Sequence, residues 1–253
     1  TVLWYDFHSN GDDADIYAMR SDAAGNFDVL TSMSARQVTR YTDRNPVGQI
    51  IYSVPDLAFD GAGNGVAIWT SGFGGAAPVY LADVPNPVAL GAVQTLATGT
   101  NSYFEPARIT FAPSGDLWAV WTRISGADRD VLAARRAAGG GGFGAPVVLR
   151  GAVGIRENGA DLEVDAVGNL HVVWIDERAG LRAYYGRFDA AGMLLQERAI
   201  TDGSLAVERI ALVLDGDGRP HVIFDAGGPA ASDVYYVAPV VEPTAAEVWM
   251  AYR

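Results

Sequence analysis

The sequence predicts an all-β fold, a five-bladed β-propeller of four-stranded antiparallel blades. Three observations predict it. A Gly–aromatic motif recurs about every 50 residues. Short apolar strands bounded by Gly, Asp, Asn or Pro fill each interval. No segment carries the 3.6-residue apolar period of a helix.

The motif aligns "DGAGNGVAIW" (60–69), "APSGDLWAVW" (112–121), "DAVGNLHVVW" (165–174) and "DGDGRPHVIF" (215–224). Each copy has Gly six positions before an aromatic: Gly63/Trp69, Gly115/Trp121, Gly168/Trp174 and Gly218/Phe224. Three have Asp nine before it, at Asp60, Asp165 and Asp215. The aromatics are spaced 52, 53 and 50 residues apart, a register that duplication explains and chance does not.

The first strand of each unit precedes the motif as "DLAF", "RITF", "DLEV" or "IALVL". The second strand is the motif's own apolar run. It is apolar on both faces, as a strand with sheets on either side must be. Between them, Gly supplies positive φ and Asp accepts hydrogen bonds from backbone N–H groups two residues on. The third strand is "PVYLA", "DVLAA", "RAYYG" or "DVYYV". A Gly turn such as "DAAGM" (189–193) or "AAGGGGF" (137–143) leads to a short fourth strand, "VQTLA", "PVVLR" or "ERAIT".

At the start of the chain, "TVLWYD" matches a second strand and "DIYAMRSDAAGNF" a third strand with its turn, so Trp4 is the aromatic of a unit whose first strand is absent. The units fall at about 1–50, 51–101, 102–154, 155–204 and 205–253 of one propeller domain. The strand in 247–253 is expected to pair in the sheet of residues 2–7 or in the last blade, helping to close the ring. A start at Thr1 without Met fits a processed segment or one excised from a larger propeller.

Net charge is −12, and all eighteen basic residues are arginine. An acidic surface repels phosphate backbones, which argues against nucleic-acid binding. Cysteine is absent, excluding disulfides, thiolate metal sites and a cysteine nucleophile. No apolar run approaches the 20 or so residues of a membrane-spanning helix.

The unit "D-x-x-G-N-x-h-V-V-W", followed by "v-Y-y-x-R" and "D-A-A-G", resembles the repeats of the sialidase-like, Asp-box-related propeller superfamily across most of the chain. "SDAAGNF" (21–27) and "FDAAGML" (188–194) are degenerate relatives of its Asp-box turn. That superfamily includes glycosidases, polysaccharide lyases, lectins and modules without a known ligand. The resemblance therefore implies a secreted, cell-surface or periplasmic propeller that binds a glycan or small molecule without catalysis. The alternatives are a carbohydrate-active hydrolase or lyase, or a protein-interaction scaffold, the chain in either case standing alone or as part of a larger surface protein.

Candidate ligand residues follow from position. In a propeller, loops after the second strand share a face with loops entering each blade. Asp6, Arg123 and Asp176 lie two residues after their aromatics; Tyr103, Glu105, Arg156, Glu157 and Glu208 lie on entering loops. Tyr5 and His8 belong to "WYDFHSNGDDADIY" (4–17), a repeat hairpin with an enlarged loop. Aromatic rings stack on pyranose faces, and carboxylates and arginines bond sugar hydroxyls. His171 and His221 sit three before the repeat aromatic, where Val66 and Trp118 stand in other units, and read as structural. No cofactor is expected. Ca²⁺ near Asp12, Asp13 and Asp15 is a minor option, because "NGDDAD" supplies oxygens without the order of a calcium loop.

Overall fold

The computed structural model describes residues 2–7, 14–19, 36–37, 54–70, 77–84, 92–99, 105–228, 231–240 and 248–252, and in 2–7, 14–19, 36–37, 228, 231, 240 and 248–252 the backbone alone. Every regular element among them is a strand, and every sheet is antiparallel. Sheet 1 contains β1 (Val2–Phe7), β2 (Ala14–Met19) and β3 (Arg36–Gln37). Sheet 2 contains β4 (Asp56–Phe59), β5 (Gly65–Thr70), β6 (Val79–Val84) and β7 (Gln94–Ala97). Sheet 3 contains β8 (Arg108–Phe111), β9 (Leu117–Ser125), β10 (Asp128–Arg136) and β11 (Val147–Arg150). Sheet 4 contains β12 (Glu157–Val164), β13 (Leu170–Asp176), β14 (Arg182–Phe188) and β15 (Leu194–Ala199). Sheet 5 contains β16 (Val207–Leu214), β17 (Pro220–Gly228), β18 (Ala231–Val240) and β19 (Val248–Tyr252). The strands of each sheet lie in chain order, a plain meander.

The chain divides into two compact units, Thr1–Ile109 and Thr110–Arg253, with the boundary inside β8. In sheet 1, β1 pairs with β2 as β5 pairs with β6 in sheet 2. β19 is the fourth strand of sheet 5, paired with β18 through Tyr236↔Tyr252 to Val240↔Val248. Of the two placements expected for the C-terminal strand, it takes the last sheet.

The repeat register is kept at the level of paired residues. Trp4 lies opposite Tyr17, Trp69 opposite Tyr80, Trp121 opposite Leu132, Trp174 opposite Tyr184 and Phe224 opposite Tyr235. Trp174 and Tyr184 stack with centroids 5.8 Å apart, and Phe224 and Tyr235 with centroids 5.2 Å apart. Trp69, Trp121, Trp174 and Phe224 are all buried.

The turn before each aromatic is built as its residues dictate. Gly63, Gly115, Gly168 and Gly218 have φ of 81°, 86°, 91° and 77°, a region that side chains with a Cβ rarely enter. Asp60 Oδ1 accepts N–H bonds from Ala62 and Asn64, Asp165 Oδ1 from Val167 and Asn169, and Asp215 Oδ1 from Asp217 and Arg219. The β14–β15 turn repeats the device: Asp189 Oδ1 accepts from Ala191 and Met193.

Within the second unit, core lies between sheets. Trp118, Val120 and Val131 of sheet 3 share a cluster with Leu162, Val172 and Phe188 of sheet 4. Val173, Ile175 and Tyr185 of sheet 4 share another with Ile210, Leu212 and Phe224 of sheet 5. A polar tie accompanies this packing: Asp161 Oδ2 accepts the Leu212 N–H at 2.8 Å. The same tie recurs in the first unit, where Asp56 Oδ2 accepts the Ile109 N–H at 2.9 Å.

Candidate functional site

Sheets 3, 4 and 5 of the second unit present two ends. One carries the strand ends where the sequence places its candidates; the other carries the Asp–Gly turns.

At the strand ends, Glu157 begins β12 and Asp176 ends β13, and the two are paired across the ladder. Both are fully buried. Asp176 is held from several sides: Arg178 donates from its backbone N–H to Oδ1 and from Nε to Oδ2 at 2.7 Å, and Trp174 Nε1 donates to Oδ2. Arg178 continues to Glu197, which also binds Arg150. Asp176 and Glu197 hold Arg178 firmly charged, raising its pKa further. Neither carboxylate oxygen of Glu157 accepts a well-formed hydrogen bond. Burial, and then the charge of Asp176, push the Glu157 carboxyl up to about 7, against weaker opposing pulls from Arg150, the Ala152 N–H and Arg178.

The other candidates at this end do not join that cluster. Arg123 bridges Asp130 at 2.6 Å within sheet 3. Arg156 is exposed and 3.8 Å from Glu177. Glu208 is exposed and Glu105 half-buried. His8, Asp12, Asp13 and Tyr103 lie outside the described residues; Tyr5, Asp6 and Asp15 lie in β1 and β2, described by backbone alone. No group of three or more His, Asp or Glu side chains suited to a metal occurs among the described residues.

At the turn end, two hydrogen-bonded chains repeat. His171 is buried, with Nδ1 2.9 Å from the Tyr185 hydroxyl and Nε2 3.3 Å from Asp165 Oδ2. His221 stands between the Tyr236 hydroxyl and Asp215 in the same order. For Asp165, burial raises the pKa, but bonds from Asn169, His171 and Val167 outweigh it and keep the carboxyl below its usual range. Asp215 is lowered chiefly by the Arg219 N–H.

His171 and Tyr185 form the floor of an open cleft of about 650 Å³. Arg187, Gln196 and Glu163 of sheet 4 line one side, and the β16–β17 turn, with Asp217 and Arg219, lines the other. A smaller cleft of about 250 Å³ occupies the equivalent place one sheet earlier, between Asp116, Trp118 and Arg135 of sheet 3 and the β12–β13 turn. Small-molecule sites commonly enclose about 300–1,000 Å³, which favours the larger cleft. None of the candidate ligand residues predicted from sequence lines it; Asp165, His171 and Asp215, which do, read as structural in the sequence, and Arg187 is not singled out there. The arginine's signal was available: Arg135 and Arg187 each lie three residues beyond the partner of the repeat aromatic, Leu132 and Tyr184.

No family model and no curated protein matches the sequence. Solved structures do. A protein of unknown function from Dyadobacter fermentans superposes with a TM-score of 0.63 at 10% identity, over 95% of this chain and 72% of that one. The lectin of Aleuria aurantia, in complex with Fucα1-6GlcNAc, gives 0.58 at 13% identity, over 99% and 73%. A sialidase from Streptococcus pneumoniae gives 0.53 at 10% identity, over 86% of this chain and 33% of that one. These likenesses show a β-propeller fold, one that a sialidase and a lectin share.

Proposed function

We propose that this chain is a five-bladed, glycan-binding propeller that holds its ligand without turning it over. The observation that carries the reading is the cleft between the turns of sheets 4 and 5. It is open and of suitable size, and it combines donors on Arg187 and Gln196 with acceptors on Glu163 and Asp217, the mixture that a polyhydroxyl ligand requires. The fold is shared with a lectin seen with a fucosylated disaccharide. An extracellular or cell-surface setting belongs to the same proposal.

Catalysis ranks second for a chemical reason. Glycoside hydrolysis by the common route pairs a carboxylic acid of raised pKa with an ionised carboxylate across an open bond-cleaving site. In this cleft Asp165 and Asp215 are shifted downward, toward permanent ionisation. The raised pKa of Glu157 suits a carboxylic acid catalyst, which is what favours the enzyme reading, but Glu157 and its neighbour Asp176 are both sealed from solvent. The test is a glycan panel scored for binding, with reducing-end and unsaturated-product assays on the glycans bound. Binding without product is expected; sustained product formation would establish the enzyme, and absence of both would leave a protein-interaction scaffold.

A further inference from the structure

The two repeat-equivalent clefts differ in what they do with one arginine. In sheet 3, Arg135 is neutralised from inside its own blade: Nη2 lies 2.6 Å from Asp116 Oδ2. Asp116 stands five residues before Trp121, and the residue five before Trp174 is Asn169. Asn169 is neutral, and its Nδ2 is committed to Asp165 Oδ2 at 2.8 Å. Arg187, the counterpart of Arg135, has therefore lost its internal counter-charge.

Nothing else replaces it. Six charged side chains line the larger cleft: Glu163, Asp165, Arg187, Asp215, Asp217 and Arg219. Asp165 and Asp215 accept the N–H bonds of their own turns. Asp217 pairs with Arg219 at 2.8 Å, and Glu163 accepts from the Thr110 hydroxyl at 3.2 Å. Arg187 makes no ion pair among the described residues, and its Nε is buried without a hydrogen bond. Beside it, across the β14–β15 ladder, is Gln196. A half-buried guanidinium without an acceptor is costly to keep, and an incoming planar oxyanion satisfies it better than any hydroxyl.

We propose that Arg187 is the anion-recognition residue of this cleft, and that the glycan it takes carries a carboxylate or a sulfate. The inference rests on the glycan-binding reading and narrows it. The 250 Å³ cleft, with Arg135 already paired, is its internally neutralised counterpart and takes no such ligand.

The experiment is calorimetric titration with four probes: a uronate-terminated trisaccharide, the same sugar with its carboxylate reduced to the alcohol, its sulfate ester, and inorganic sulfate. The uronate or the sulfate ester is expected to bind about 10–100-fold more tightly than the reduced sugar, the range of a charge-assisted hydrogen bond. Arg187→Gln is expected to remove that advantage, Arg187→Lys to restore part of it, and Arg135→Gln to leave it unchanged. Preference for the uronate or for the sulfate ester identifies the oxyanion, and tight binding of inorganic sulfate alone overturns the glycan. Should Arg187→Gln unfold, raised ionic strength on the wild type replaces it: affinity for the acidic sugar falls, and that for the neutral one holds. Equal affinity for acidic and reduced sugars, with Arg187→Gln indifferent, overturns the role of Arg187 while leaving glycan binding intact. No binding to any sugar in the wild type overturns both.

Discussion

Glu157 and Asp176 face each other across the first and second strands of sheet 4, both buried, and of the two it is Asp176 that Arg178 binds. Burial, and then the charge of Asp176, penalise the Glu157 anion. The folded-state pKa of Glu157 is raised, to about 7 from 4.5. Below about pH 4.5 the group is protonated in both states and costs nothing. As pH rises toward 7 the unfolded chain gains by releasing the proton first, so stability falls, and above 7 the penalty is complete. Glu157→Gln is expected to flatten this slope and to stabilise the protein above pH 7 by about 2–3 kcal/mol. Urea unfolding of both proteins from pH 4.5 to 8.5 checks it. A wild-type stability that climbs between pH 5 and 7 in step with Glu157 would contradict the placement.

Trp174 is wholly buried and stacks on Tyr184, and Trp69 and Trp121 hold the same place in their sheets. Truncating any of them to Ala is expected to cost about 3–5 kcal/mol through lost burial and the cavity left behind. Chemical denaturation measures this; a loss below 1 kcal/mol at two of the three positions would break their equivalence.

Asp165 and Asp60 cap equivalent turns, but Asp165 alone also receives a histidine. Asp165→Ala should therefore cost more than Asp60→Ala, by about 0.5–1.5 kcal/mol, because it also removes a hydrogen bond to buried His171. Paired thermal melts decide it. Equal losses would mean that the imidazole contact carries no weight.

The repeats were legible because three independent signals coincide in them: a Gly that must take positive φ, an Asp that bonds its own turn, and an apolar strand buried on both faces. Trp4 could be matched to Tyr17 by alignment alone, and the ladder pairs them. The slot shared by Asp176 and Arg123 was legible too, but its burial was not. Whether a strand-end carboxylate faces solvent depends on how the next sheet covers it, and no local pattern encodes that. Arg187 was hidden for a subtler reason. Its interest lies in a missing partner, visible only once the third strand is set in register against the turn and Asn169 is seen standing where Asp116 stands one sheet earlier.

β19 covers the edge of β18 from Tyr236 to Val240. Removing residues 244–253 is expected to leave β18 as an open, partly apolar edge and to promote self-association. Light scattering at rising concentration reads this; a truncated protein as monodisperse as the parent would show that β19 does not protect the sheet.

Whether the protein holds a glycan and leaves it intact is most directly measured by incubating it with a defined mixture of neutral and acidic oligosaccharides, separating bound from free, and weighing both fractions by mass spectrometry. The expected result is a bound fraction enriched in acidic sugars at their original masses, with no new masses in the free fraction. Fragments of lower mass, or of dehydrated mass, accumulating with time in either fraction would contradict it.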